Sequence, residues 1–361
     1  MDAGSPEDVP ADEICVPGDC PGQECLPGKF CADASDIAYV ASDGSDDPPC
    51  PLGAPCPLVC SHDAPCQHIS VVLDKTPRSH IVLLRGMVPD SVVIDDRGVW
   101  LLAGLGGATL TGPGPAVVTV TNGGTLTAYG LQITQTRSGT TGISGPRGSS
   151  AATVTLRHVT ISGMSGFAVD MNGGTLALTR SLITGNPGGG LRIDGTVFEI
   201  VNNVFERNGT ATGPSGAIMI TSSRTTSSPR HLEFNTLFEN QAADGAAISC
   251  VDNTFTARNN LLVGNGNAQS SEQTTGTCQH QYSVTYQGEP LVGTGNGSGD
   301  PKFRDAANGD FHIPGDSAAA RAADPGETLA DDTLADRDGT VRIPRASCGA
   351  YEAPGASGSA H

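Results

Sequence analysis

The sequence predicts an all-β chain wound as a β-solenoid, and three observations carry that prediction. A short outline, Asn-x-φ-x-x-Asn with φ apolar, recurs in "NNVFERN" (202–208), "NTLFEN" (235–240) and "NLLVGN" (260–265), and again in "SLITGN" (181–186) with Ser at its first place. Aligned on this outline, "VTLRHVTISG" (154–163), "LALTRSLITGN" (176–186) and "FEIVNNVFERN" (198–208) succeed one another every 22 residues, and "HLEFNTLFEN" (231–240) and "FTARNNLLVGN" (255–265) follow at 32 and 25. Composition agrees: glycine is 48 of 361 residues, well above its usual share of about 7%, while aromatic residues are 4%.

Each unit also holds a second apolar run opening on glycine: "GFAVDM" (166–171), "GGLRID" (189–194), "GAIMIT" (216–221) and "GAAISC" (245–250). Short alternating runs without a helical period, repeated at about 22 residues, describe coils that bury their cores only by stacking. A leucine-rich repeat has a similar length but requires a regular Leu-x-x-Leu-x-Leu core, which is missing. The longer 32-residue step is explained by the polar loop "SSRTTSSPR" (222–230). Upstream, "HIVLLRG", "SVVIDD", "VWLLAG" and "VVTVTNGGTLTAYGLQIT" read as earlier, less regular coils, about nine in all.

Alternation assigns faces, because successive strand side chains point oppositely. Counting from the first motif place, positions −5 and −3 are apolar (Val154/Leu156, Leu176/Leu178, Phe198/Ile200), as is +2 (Ile161, Ile183, Phe205, Leu237, Leu262), so these point inward. The motif asparagines form two columns, Ser181–Asn203–Asn235–Asn260 and Asn186–Asn208–Asn240–Asn265. Asparagine tolerates left-handed backbone and bonds to its own kind, so the columns are expected to be structural corner ladders.

The acidity of the chain, −18 overall, sits mostly in residues 1–67, with 13 acidic residues against Lys29. Residues 68–300 carry 15 acidic and 13 basic residues, so the body is nearly neutral, and a basic field for nucleic acid is absent. Eight of the eleven cysteines fall at 15, 20, 25, 31, 50, 56, 60 and 66, in Pro/Gly-rich sequence without zinc-ribbon spacing. They read as disulfides of an oxidising compartment, with those at 50–66 stapling the start of the solenoid, Cys250 pairing with Cys278, and one thiol left over. No signal peptide is visible in "MDAGSPEDVPADE", and no apolar run is long enough to span a membrane. An exported protein, extracellular or at the cell surface, is therefore expected to have been trimmed at its start.

"AYVASDGSDD" and the "NNVFERN"-type turns make residues 37–300 resemble the right-handed parallel β-helix proteins of the pectate-lyase-like superfamily. The segment "DPKFRDAANGDFHIPGDSAAARAADPG…DRDGTVRIPRASCGAYE" resembles the closing module of bacterial surface proteins called choice-of-anchor Q domains, although Cys348 departs from the usual approach to "GAYE". The resemblance implies three parts: an acidic, cystine-rich head or linker (1–36), a single-stranded right-handed β-helix (37–300), and a C-terminal closing module or cap with a flexible tail (301–361).

Outward columns hold the candidate chemistry. Position −4 reads Thr155, Ala177, Glu199, His231, Thr256, and −2 reads Arg157, Thr179, Val201, Glu233, Arg258. Glu199, His231, Glu233 and Arg258 thereby share one patch, with Arg157 further along it as a substrate-binding candidate. A β-eliminating lyase needs a cation beside a uronate and a base, roles open to Arg258 and His231; a hydrolase wants two carboxylates, such as Glu199 and Glu233. The competing expectation is a solvated cross-strand pairing of Glu233 with Arg258. Asp170 and Asp194 read as equivalent places on adjacent coils, where two carboxylates invite calcium. "DRDG" (336–339) resembles part of a calcium loop but reads better as a capped turn, and the lyase-like Arg-x-Pro-x-x-Arg spacing is absent. Trp100 is expected in the core, and Tyr129, Tyr282 and Tyr286 as possible sugar platforms. Missing calcium and lyase signals with few aromatics favour non-catalytic binding of an extracellular glycan or surface protein along the solenoid face. The alternative is a polysaccharide lyase or glycoside hydrolase.

Overall fold

Runs of three to five alternating residues do form strands, and each repeat lays down three of them. The unit beginning at Thr153–Arg157 continues through Thr160–Ser162 to Val169–Asn172. Each strand pairs in parallel with its equivalent one coil on, as Val154↔Leu176 and Leu176↔Phe198 show. The computed structural model describes residues 15–16, 18–46, 60–75, 81–146, 148, 151–221, 230–251, 255–329, 331–342 and 345–354. The polar loop at 222–229, Cys50, Cys56, the first fourteen residues and the tail from 355 lie outside them.

One sheet stacks eight strands, from Val92–Asp95 to Thr274–Gly276. That gives a parallel β-solenoid of about seven turns rather than nine. The difference lies upstream, where strands are longer than the repeat suggests. Gly98–Gly112 runs for 15 residues and serves two faces, pairing with both Thr125–Tyr129 and Leu131–Gln135. "HIVLLRG" and "SVVIDD" therefore share one coil.

The inward columns are as alternation requires. Val154, Leu156, Leu176, Leu178, Ile200, Ile161, Ile183, Phe205, Leu237 and Leu262 are all fully buried. Each such side chain contributes about 1.5–3 kcal/mol relative to exposure.

Both asparagine columns form continuous ladders. Asn203 N donates to Asn235 Oδ1 at 3.0 Å, Asn235 N to Asn260 Oδ1 at 2.9 Å, and Asn260 N to Ser283 Oγ at 3.1 Å. The second ladder links Asn186, Asn208, Asn240 and Asn265 by Nδ2–H···Oδ1 bonds of 2.8–2.9 Å. The left-handed backbone is not where asparagine preference suggested. It falls one residue earlier, at His158, Arg180, Asn202, Phe234, Asn259 and Tyr282, with φ between 47° and 59°. Such residues cost about 1–3 kcal/mol each, a strain that persists where surrounding bonds over-determine it. The ladder amides supply that determination.

At the N-terminal end, the Cys60–Cys66 disulfide lies along the outer edge of strand Ile37–Ala41, where Cys60 O accepts from Tyr39 N and Cys66 N donates to Tyr39 O. Helix Ile69–Lys75, not foreseen in the sequence, sinks Ile69, Val72 and Leu73 into the first coil's core. Together they cover an edge that otherwise invites strand pairing. The head, held by Cys15–Cys25 and Cys20–Cys31, packs Leu26 and Phe30 onto the outward side of the first coils. Trp100 is therefore not in the solenoid core. It stands in the outward column beside Thr127, edge-on to Phe30 at 4.6 Å. Tyr129, a candidate platform, is buried beneath the same head.

The C-terminal segment closes the solenoid along its side. Phe311, Ile313, Ala319, Ala323, Cys348, Ala350 and Tyr351 form a second core with Val204, Phe238, Leu261, Val263 and Val284. Those five are outward residues of the motif strands, apolar where solvent would demand polarity. Cys250 pairs with Cys278 as spacing suggested, and Cys348 is the free thiol among the described residues, buried with Sγ donating to Tyr282 O. The four described disulfides fit an oxidising compartment. Among the described residues no helix is long and apolar enough to cross a membrane.

Candidate functional site

Strand register brings the predicted patch together. Glu199 pairs with His231, and Val201, Glu233 and Arg258 succeed one another on the next outward column. Arg157 heads that column three coils before Glu233. Glu233 is the centre: its carboxylate is almost fully buried, with His231 Nδ1 at 3.1 Å and Arg258 Nε at 3.6 Å from Oε1. The hydrogen bond to Glu233 raises the His231 pKa above its usual value, against the opposing effect of burial, and Glu199 adds to the pull. His231 is therefore biased toward imidazolium, a poor starting state for a general base.

The closing segment completes the patch, which strand alternation alone did not reveal. Glu327 Oε2 accepts from Arg258 Nη1 at 3.0 Å, and Asp332 Oδ1 lies 3.3 Å from Arg157 Nη1. Burial works against the Arg258 charge, but Glu327, Glu233 and Asp324 outweigh it and hold its pKa above the ordinary guanidinium value. Asn202, in its left-handed corner, donates from Nδ2 to the carbonyls of Asp332 and Ala335 and fixes this strap in place. The acidic run "DPGETLADD" (324–332) was the available signal, since the two arginines of this outward column, Arg157 and Arg258, need counter-charge.

The calcium pair is not formed. Asp170 stands opposite Arg192, which binds it through both Nε and Nη2, while Asp194 stands opposite Asn172 and Thr221. The equivalence of Asp170 with Asp194 fails by two places: Val169 pairs with Leu191, so Asp194 falls opposite Asn172. Among the described residues no group of three His, Cys, Asp or Glu side chains could hold a metal. In "DRDG", Asp336 Oδ1 accepts from Asp338 N and Thr340 N, the capped turn expected there.

A second titrating cluster lies within the closing segment. His312 sits between two carboxylates, Nδ1 2.6 Å from Asp310 and Nε2 2.6 Å from Asp338. Asp338 above all, then Asp310, raises the His312 pKa from its ordinary 6.5 despite partial burial. A pKa raised on folding stabilises fully below the unfolded value and is lost as pH rises through the folded one. The melting-temperature deficit of His312→Gln relative to the parent should thus be largest below about pH 6.5 and shrink as pH rises above it. A deficit independent of pH would remove the ionic clamp.

No family model matches the chain, and no curated protein matches it. Among solved structures it is similar to one described as "Crystal structure of pectate lyase Pel9A", at 13% identity and a TM-score of 0.46, over 88% of this chain and 96% of that one.

Proposed function

We propose that this is an exported protein, secreted or held at the cell surface, that binds extracellular glycan or a partner protein along its solenoid face without catalysis. The observation that carries the reading is the internal neutralisation of the face's cations. Arg258 is engaged by Glu233 and Glu327, Arg157 by Asp332, and His231 by Glu233. A lyase would need those cations turned toward a uronate. The disulfides support export, and the likeness of the closing segment to choice-of-anchor Q domains supports display at a surface. What remains for a ligand is the run beside the patch, with Thr127, Thr155 and Ala177 in one outward column between the head and the strap.

The second reading is a polysaccharide lyase or glycoside hydrolase. It draws on the adjacency of His231 to two glutamates, Glu199 across the coil and Glu233 on its own strand. One experiment separates them: the purified chain, with and without calcium, is incubated with polyuronates and neutral polysaccharides while products and retention are both measured. We expect saturable retention of a glycan, or of a surface protein, without product, weakened by Thr155→Trp. Unsaturated products or new reducing ends, abolished in His231→Ala and Glu233→Ala, would replace binding with catalysis.

A further inference from the structure

The second asparagine ladder does not end as the first one does. The first closes on Asn296, whose Nδ2 donates to His280 O at 2.9 Å. The second passes from Asn265 to Gln273, whose Oε1 accepts from Asn265 N at 3.3 Å and from Asn265 Nδ2 at 2.8 Å. Those two bonds fix which end of the Gln273 amide is oxygen. Its Nε2 is left as a buried donor with no hydrogen-bond partner among the described residues. Upstream rungs spend the same donor on a backbone carbonyl, as Asn265 does on Leu237 O at 2.9 Å.

His280 lies close by and poses the same problem. It occupies the inward column after Ala257, so the last coil places an imidazole where earlier coils place an apolar side chain. Its Nδ1 is buried and also without a hydrogen-bond partner among the described residues. Burial pushes the ring's pKa down to about 4, so it is neutral near pH 7. Gln273 and His280 are 1% and 7% exposed, and both line one cleft of about 640 Å³ at the last coil. Its wall includes Cys278, Pro290, Leu291 and the 93% exposed Val292. Glu272 and Glu289 supply its charge.

We infer that this cleft is a binding site for a neutral saccharide, with Gln273 and His280 hydrogen-bonding to its hydroxyls and Leu291 and Val292 against its C–H face. Buried polar groups left unmatched cost about 1–3 kcal/mol each, so a ligand that matches them recovers that energy. A hydroxyl both donates and accepts, and so suits the amide N–H and either tautomer of the ring. Anionic sugars are opposed by the two glutamates, and a cation by the amide donor. An apolar wall with a few convergent polar groups is the usual composition of such sites. The inference stands on the end of the solenoid and is independent of binding along its face.

The test uses the full chain with ¹⁵N-labelled histidine, its imidazole resonances followed during titration with maltohexaose, cellohexaose, xylohexaose, mannohexaose and hexagalacturonate. His280 is assigned by comparison with His280→Phe. We expect saturable movement of the His280 signals with at least one neutral hexasaccharide and none with hexagalacturonate. Gln273→Glu keeps an oxygen for Asn265 and removes the donor, and should weaken binding about tenfold. Val292→Lys, on the exposed rim, should weaken it without touching the ladder. Still signals with every neutral probe at millimolar concentration, or binding unchanged in both variants, would overturn the site.

Discussion

Asn235→Leu should destabilise the chain by about 3–6 kcal/mol, because it strands several buried polar groups at once. Asn235 Oδ1 accepts from both Asn203 N and Asn203 Nδ2 at 3.0 Å, and its own Nδ2 donates to Ile200 O, Glu233 O and Asn260 Oδ1 at 2.8–3.1 Å. Leucine fills similar volume and makes none of these bonds. The stranded groups are fully buried, so water cannot replace the lost partners. Asn235→Ser is the informative contrast, since serine already serves as a rung at Ser181 and Ser283. A hydroxyl keeps one acceptor for Asn203 N, and the loss should fall to about 1–2 kcal/mol. Chemical denaturation gives both values, and amide exchange should rise first at Asn203 and its neighbours, since each coil touches only adjacent ones. Equal losses for Leu and Ser would mean that packing, not hydrogen bonding, holds the corner.

The ladders show why this fold was readable. Period and alternation are local properties of sequence, so the inward columns, the motif register and the Cys250–Cys278 pairing follow from counting residues. Two kinds of information were not local. Register on the third face depends on which glycine turns the corner, and a shift of two places moved Asp194 away from Asp170 and set Arg192 beside it. Coverage of outward faces depends on segments remote in the chain. Trp100 and Tyr129 meet a head some seventy to a hundred residues earlier, and Val204, Phe238 and Leu261 meet residues beyond 310. The apolar outward places in "NNVFERN" and "NTLFEN" held that second signal. The patch of Glu199, His231, Glu233 and Arg258 was legible as a juxtaposition, but its electrostatic state was not, because Glu327 and Asp332 arrive from outside the repeat.

That dependence makes the anchorage of the closing segment the second large effect. Arg342 is wholly buried, paired with Glu352 at 3.1 Å and stacked over Phe234 at 4.2 Å. Its Nη2 donates to Asn202 Oδ1 and Gly349 O at 2.8 Å, and its Nη1 to Ser347 O at 3.1 Å. Arg342→Met should cost about 3–5 kcal/mol, since it leaves the buried Glu352 carboxylate without its cation. Adding Glu352→Leu should recover part of that loss and not all of it. The remainder reflects Ser347 N and Oγ, which donate to Glu352, and Asn202, which loses its donor. The site of the damage distinguishes this from general unfolding: amide exchange should rise across 301–354 while the ladder amides of Asn203 and Asn235 stay protected. Because Asn202 also holds the strap through the Asp332 and Ala335 carbonyls, loosening it should release Glu327 from Arg258 and Asp332 from Arg157. Arg342→Met should therefore retain hexagalacturonate more strongly than the parent at low salt, an attraction screened as ionic strength rises. If retention stays unchanged while exchange across 301–354 increases, the strap does not set the charge of the face, and the proposed neutrality of that surface must come from elsewhere.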